Sequence, residues 1–319
     1  MPKGGSRLTS KALPTAYRRE PLLRHIRKHY WLYLMMIPGL AFFAIFHYWP
    51  MYGVVIAFKN FSMFRGIAAS PWVGLAHFEE LFRSDAFGRL LRNSLMLSVY
   101  KLLWGFPAPI LLALLLNEVR SRGFKRSVQT IIYLPHFISW VVVSGLLTQL
   151  LSPNDGVINL IIKQLGGSPI FFMSKPQYFR TILVASDIWK TAGWGTIIYL
   201  AALTNVDPAL YEAATIDGAN RLQQTWHVTL PGIKSTIIVL LLLRVSTILG
   251  NAFDQVFVMY NPLVMDVADV FETFVYRVAI KDSRYDYATA VGLFQSVVGT
   301  VMLLICNTAS RRLGEGGII

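Results

Sequence analysis

Charge is scarce in this 319-residue sequence. Charged residues make up 15% of it and hydrophobic ones 54%, where an ordinary soluble domain carries roughly a quarter charged residues. That shortfall, with 20 Phe, 14 Tyr and 8 Trp, argues against disorder and against a soluble globular protein. Acids are the scarcer sign: 17 Asp and Glu stand against 30 Lys and Arg, a formal net charge of +13. On a soluble protein that excess would point to nucleic acid. In so apolar a chain it asks instead which side of a membrane holds the charge, and no nucleic-acid partner is expected. Cysteine is almost missing: with Cys306 alone, no intrachain disulfide and no Cys-based metal site can form. The histidines, His25, His29, His47, His77, His136 and His227, are scattered without metal-ligand spacing. The phosphate loop G-x-x-x-x-G-K-[ST], the nucleophile elbow G-x-S-x-G and the zinc motif H-E-x-x-H do not occur. The chain is therefore not expected to hydrolyse ATP, to be an enzyme, or to bind a metal or cofactor of its own.

Long apolar runs are what it has. After a basic tail at 1–29, with eight Lys and Arg against Glu20, the run Trp31–Phe58 contains no Asp, Glu, Lys or Arg. A span needs about 20 apolar residues, and Pro38 and Pro50 are tolerable inside one. The run is too long for a cleaved leader, and no small-residue cleavage site closes it. Further spans are read at 90–116, 127–151, 181–203, 233–259 and 288–310. The expectation is an all-α integral membrane protein with six transmembrane helices over 30–312 and a short tail at 313–319. With the N-terminus inside, the inner segments hold 16 Lys and Arg and the outer ones 9, which places both termini in the cytoplasm. Residues 76–92 put Phe78, Leu81, Phe82 and Leu90 near one helical face, the pattern of an amphipathic helix at the outer interface. Trp31, Tyr33, Tyr48, Trp49, Tyr52, Trp72 and Trp140 are expected as interface anchors or packing. The outer acids Asp266, Asp269, Glu272, Asp282 and Asp286 are expected to form a solvated face.

The inner segment 205–231 is too polar to span and too structured to be a linker. Asp207 can cap a helix that Pro208 begins. Gly218 can end it in left-handed geometry. Asn220 can open a second short helix, which should stop before Pro231.

Glu212-Ala213-Ala214, then three residues, Gly218, nine residues, Val228, one residue and Leu230-Pro231 resembles the EAA loop of binding-protein-dependent ABC importer permeases, E-A-A-x3-G-x9-I-x-L-P. The departure is Val228 for Ile. The segments YWLYLMMIPGL at 30–40, FHYWPMYGVVIAFKNF at 46–61, DIWKTAGWGTIIYLAAL at 187–203 and YATAVGLFQSVVG at 287–299 resemble the oligosaccharide and polysaccharide branch, which includes importers of alginate and complex glycans. The resemblance implies the transmembrane domain of a type I ABC importer in the bacterial inner membrane. It also implies a second homologous permease, two ATPase subunits that hold the ATP and Mg, an extracytoplasmic solute-binding protein and a carbohydrate substrate. By the same resemblance, Tyr211, Glu212, Ala213, Ala214, Asp217, Gly218, Leu230 and Pro231 would form the ATPase-coupling loop. Glu212 would supply polar contact, the alanines close approach and Gly218 the turn.

Ionisable residues inside spans mark water-filled paths or buried pairs. Asp187, Lys190, Thr191 and Trp194 share one face of the fourth span. Arg244, Asn251 and Asp254 are read on one face of the fifth. These flank the 205–231 loop, and are the candidate lining of a substrate path, with Trp194 stacking on sugar rings and the cations meeting carboxylates. The bland reading is buried structural pairing of Asp187 with Lys190, or of Arg244 with Asp254. The alternatives, a secondary transporter or channel acting without an ATPase and a membrane enzyme, leave the loop motif unexplained.

Overall fold

The structure, a computed structural model, describes residues 27–250 and 252–312. The tail before residue 27, Asn251 and the segment 313–319 lie outside the described residues. Two compact units divide the chain, Met1–Gly53 and Val54–Ile319. The described residues are helical almost throughout, with an isolated antiparallel bridge between Lys59 and Trp72.

Helix α1, Tyr30–Phe58, is apolar on every side, as a lipid-facing helix requires. It widens to a π turn at Ala44–Tyr48 and tightens to a 3-10 turn from Tyr52. The widening has a local cause that recurs. Three of the four π segments among the described residues, Ala44–Tyr48, Lys101–Gly105 and Thr225–Thr229, are each followed, two residues on, by proline: Pro50, Pro107 and Pro231; the fourth, Arg277–Lys281, is not. A proline has no N–H and its ring presses on the carbonyl four residues back. In all three cases that carbonyl belongs to the π segment, whose wider turn makes room for it. The helix continues where a regular α-helix would kink or stop.

Helix α2, Ala76–Arg83, is separated from α3, Asp85–Glu118, by an extended Ser84. The single amphipathic helix expected over 76–92 is therefore two pieces. Its apolar face is covered in part: Leu81 and Leu90 are buried with Phe271, Tyr287 and Val291, while Phe78 is half-buried and Phe82 exposed. The expected straight span at 127–151 is bent by 102° between α4, Arg122–Phe137, and α5, Trp140–Leu150. Pro135 tightens Leu134–Phe137 into a 3-10 turn, Ile138 is extended, and the Ser139 hydroxyl accepts from Val142 N to restart the helix. Helix α6, Pro176–Leu203, runs unbroken for 28 residues.

Beyond it come α7, Pro208–Ile216, and α8, Arg221–Gly232, which bends by 62° into α9, Lys234–Ser246. The second loop helix thus runs through Pro231 instead of stopping before it. The expected span 233–259 is broken as well: α9 ends at Ser246 and α10, Phe253–Met259, begins after an irregular segment. Helices α11, Phe271–Tyr276, and α12, Tyr285–Arg312, complete the chain. Among the described residues, three helices have the length and hydropathy to cross a membrane, α1, α3 and α12, or up to five spans if each bent pair is one. The expected count of six is not reached on that measure. Helix α6 is long enough, but Asp187 and Lys190 lower its hydropathy.

The outer acids are not the solvated face expected. Asp269 is wholly buried, 2.6 Å from Arg277, and the buried Asp286 accepts from Phe61 N and Tyr287 N. Glu272 accepts from Ala252 N. Asp266 and Asp282 are exposed. At the same end Arg284 grips Glu80 at 2.6 and 2.7 Å, a hydrogen bond that holds the Glu80 carboxyl below its ordinary 4.5.

Candidate functional site

A cavity of about 270 Å³ opens between α3, α6 and the broken end of α9. Its polar lining includes Ser98, Lys101, Trp140, Asp187, Thr191 and Arg244. The Asp187 carboxylate accepts from Lys101 Nζ at 3.1 Å and from Arg244 Nη2 at 3.4 Å. Lys101 also donates to Gln255 Oε1 at 2.6 Å. The Gln255 amide in turn donates to Leu183 O at 2.6 Å and Ser186 Oγ at 2.9 Å. Lys101 and Asp187 are both 7% exposed. The Arg244 side chain, 36% exposed, is the cation that faces open space. Two cations thus share one carboxylate in a desolvated setting, which favours a further anion.

The break after α9 needs partners for its backbone, because unsatisfied groups are costly away from water. The Ser98 hydroxyl of α3 donates to Ile248 O, and Gln295 Nε2 of α12 donates to Leu249 O at 2.5 Å. Glu272 takes the Ala252 N–H at 2.8 Å. Side chains of three helices therefore hold the irregular segment open against the cavity, with Gly250 and Ala252 in its lining.

Of the residues singled out from the sequence, Asp187, Thr191 and Arg244 come together here. Lys190 and Trp194 are placed beside α4 and do not line the cavity. Lys190 Nζ donates to His136 O at 2.7 Å, and Trp194 stacks on the His136 ring at 4.6 Å. Asp254 does not share a face with Arg244, because the break separates them; it is exposed on α10. Asn251 lies outside the described residues. Asp187 pairs with Lys101 and Arg244, not with Lys190. Lys101, Gln255 and Trp140 were missed as site residues. Lys101 was visible, with Arg92, as a cation inside the second span, and Trp140 had been read as an interface anchor or packing residue.

The second feature is the hairpin α7–α8. Asp207 caps α7 by accepting from Ala209 N at 2.9 Å. Gly218 sits at φ 81° and closes a Schellman turn: Ala219 N donates to Ala214 O at 2.9 Å and Gly218 N to Thr215 O at 3.1 Å. Asn220 and Gln223 form a reciprocal capping box. Tyr211 Oη donates to Thr229 Oγ1 at 3.0 Å, and Gln224 Nε2 donates to Thr215 Oγ1 at 3.1 Å, so the two arms are tied together. Arg221 pairs with Glu118 at the end of α3. The base is packed: Val206 and Ile233 are buried with Ala113, Tyr199 and Leu203, and Tyr211 and Val228 pack on them. Leu230 lies in α8 and Pro231 follows it. Glu212, Ala213 and Asp217 are exposed, and so are the apolar side chains of Ile216, Leu222 and Trp226. An anchored hairpin with an uncovered apolar and acidic tip has the form of a surface that meets another protein.

Comparison with known proteins gives a consistent result. The family described as "binding-protein-dependent transport system inner membrane component" matches residues 105–315. The sequence is 49% identical over 293 residues to Protein LplB of Bacillus subtilis (strain 168), covering 92% of each chain. It is 48% identical over 301 residues to the polygalacturonan/rhamnogalacturonan transport system permease protein YteP of the same organism, covering 94% of each. Among solved structures, it matches a chain of the bacterial alginate ABC transporter in complex with alginate pentasaccharide-bound periplasmic protein. There the TM-score is 0.86 at 44% identity, over 94% of this chain and 100% of that one.

Proposed function

The chain belongs to the binding-protein-dependent transport system inner membrane component family, and from that premise we propose that it is the permease component of a carbohydrate ABC importer, serving an acidic oligosaccharide or polysaccharide. The observation that carries this reading is the near full-length match, at 44% identity, to a chain of the alginate importer. The relative named for polygalacturonan and rhamnogalacturonan transport points to the same substrate class. ATP hydrolysis belongs to a separate subunit. The finer assembly proposed is this chain with a second permease, two ATPases on the cytoplasmic side and a solute-binding protein outside, with both termini cytoplasmic.

In this reading the α7–α8 hairpin is the ATPase contact. Glu212 offers an acceptor, Ala213 and Ala214 let a partner's surface come close, and Ile216, Leu222 and Trp226 give apolar area. The cavity is part of the substrate path. Arg244 meets a sugar carboxylate, while Lys101 holds Asp187 and keeps that carboxylate from neutralising Arg244 alone. Thr191 and Ser98 supply hydroxyls, and Trp140 offers a flat apolar surface for a pyranose ring.

The test is reconstitution of the complete complex in proteoliposomes with its binding protein and an oligogalacturonate or oligoalginate. ATP-dependent uptake is expected, with the ATPase subunit lost from the purified complex when Glu212→Ala and Gly218→Leu are combined. Uptake that persists without ATPase or ATP would overturn the importer reading. Uptake of neutral glycans alone would overturn the acidic substrate.

A further inference from the structure

A second groove, of about 590 Å³, runs along α3 and α6 and is lined by Tyr100, Trp104, Gln177, Arg180 and Thr181 among others. None of these residues lines the cavity around Asp187. On α3, the cavity takes Ser94, Leu97, Ser98 and Lys101, whereas Met96, Tyr100 and Trp104 fall four residues apart on a different face.

Arg180 is the unusual group. It is half-buried, and its guanidinium contacts are neutral: Nε donates to Val267 O at 3.2 Å, Nη2 to Asn93 Oδ1 at 2.7 Å, and Nη1 lies 3.4 Å from Met96 Sδ. Each terminal nitrogen keeps a second N–H with no acceptor among the described residues. No carboxylate among the described residues pairs with it. Burial disfavours its charge, and of the two side chains that act on it Arg92, another guanidinium, repels it while the Tyr100 phenol favours it. Arg92 is exposed and forms no ion pair among the described residues. A half-buried cation kept beside a second cation, with N–H groups left over, is an electrostatic cost unless an anion arrives. The free fork suits a planar carboxylate. Beside it, Trp104 is 67% exposed and Tyr100 shares the lining, so flat apolar surface and anion receptor sit together. That is the pairing an anionic sugar ring presents in reverse.

We propose that this groove is a second subsite for the substrate, holding a uronate ring against Trp104 and Tyr100 with its carboxylate on Arg180. It rests on the acidic-glycan reading above. Arg180 lies near the Pro176 end of α6, and Asp187 seven residues further along, roughly 10 Å at the rise of an α-helix. A polyuronate carries a carboxylate on every ring, so one chain can be met in succession by Arg180 and by Arg244.

The complete complex, in nanodiscs of neutral phosphatidylcholine, is dialysed to equilibrium against a labelled oligogalacturonate and against its carboxyl-reduced, neutral counterpart. Arg180→Gln, which keeps an amide donor for Asn93 or Val267, is expected to weaken oligogalacturonate binding about tenfold, the scale of one hydrogen bond to a charged group. Binding of the neutral oligomer should be unchanged, and Arg180→Lys should recover part of the loss. Trp104→Leu is expected to weaken both oligomers, since stacking does not depend on the carboxylate. Equal loss for both oligomers in Arg180→Gln, no loss, or no oligogalacturonate binding by the wild type would overturn the subsite. So would a defect of Arg180→Gln that appears only with phosphatidylglycerol in the disc, which would assign the groove to a lipid headgroup. Uptake by the same wild-type complex in proteoliposomes separates these outcomes from failure of the importer reading.

Discussion

Asp187 is one carboxylate between two cations, and that ratio organises the cavity. Lys101 and Asp187 are almost fully withdrawn from solvent, so neither can be neutralised by water if its partner goes. Removing one member of such a set strands a buried charge, whereas replacing the set with apolar groups of similar volume is close to neutral. Asp187→Asn is expected to destabilise the purified complex by about 3 kcal/mol, the lower end for breaking a buried pair because Arg244 stays partly hydrated. Combining Asp187→Leu with Lys101→Met should restore part of that loss. Thermal unfolding of the wild type and the two variants checks this, and a single-variant loss below about 1 kcal/mol would mean that the pair is effectively solvated. The sequence disclosed half of this arrangement. Asp187 and Arg244 could be found because charge inside a span is conspicuous, and Thr191 because it lies four residues on from Asp187, on the same face. The pairing of Asp187 with Lys101 could not, because periodicity relates residues along one helix and this pair joins two. Lys190 illustrates the same limit: it sits at the right spacing from Asp187, yet its ammonium is taken by the His136 carbonyl.

The elements divide by how local their causes are. The hairpin α7–α8 was legible in detail, since each part answers to a residue within four positions: Asp207 and Asn220 as caps, Gly218 as the left-handed turn. Its one surprise, continuation through Pro231, is also local. The π turn Thr225–Thr229 takes up the space that the proline ring demands, as the π turns ahead of Pro50 and Pro107 do. The breaks in α4–α5 and α9–α10 were not legible, because an apolar run reads as a span whether or not it is straight. Asp254 was misplaced for that reason: the carbonyls freed at Ile248 and Leu249 are stabilised by Ser98 and Gln295, from far along the chain. The hairpin allows a sharp prediction. Gly218→Ala puts a Cβ in the left-handed region at a cost of about 1 kcal/mol. Opening of the Schellman turn should rise roughly fivefold, read as faster hydrogen exchange of the Gly218 and Ala219 amides. Unchanged exchange there would show that the tip is held by something other than its turn.

At the scale of the transporter, the hairpin and the cavity are joined by the same two helices. Helix α6 leads from Asp187 to Leu203 and then into the hairpin; α9 returns from Lys234 to Arg244. At the α-helical rise these paths are roughly 24 Å and 15 Å long, and neither contains a proline. A tilt imposed on the hairpin is therefore carried to both sides of the Asp187–Arg244 pair, provided that the hairpin base is tight. Its tightness depends on Gly232, where a Cβ would stand 2.9 Å from Val206 Cγ2. Gly232→Ala must push Val206 away, an overpacking cost of about 1–3 kcal/mol, while the exposed tip around Glu212 and Ile216 is left as it was. The expected result is a complex that still carries its ATPase and still hydrolyses ATP, but moves several-fold less sugar per ATP. Parallel measurement of phosphate release and uptake in proteoliposomes decides the matter. If the ratio stays at the wild-type value, motion reaches the cavity by a route other than the hairpin base. If the ATPase is lost from the complex, the base and the tip are one docking surface, and the lever must be placed elsewhere.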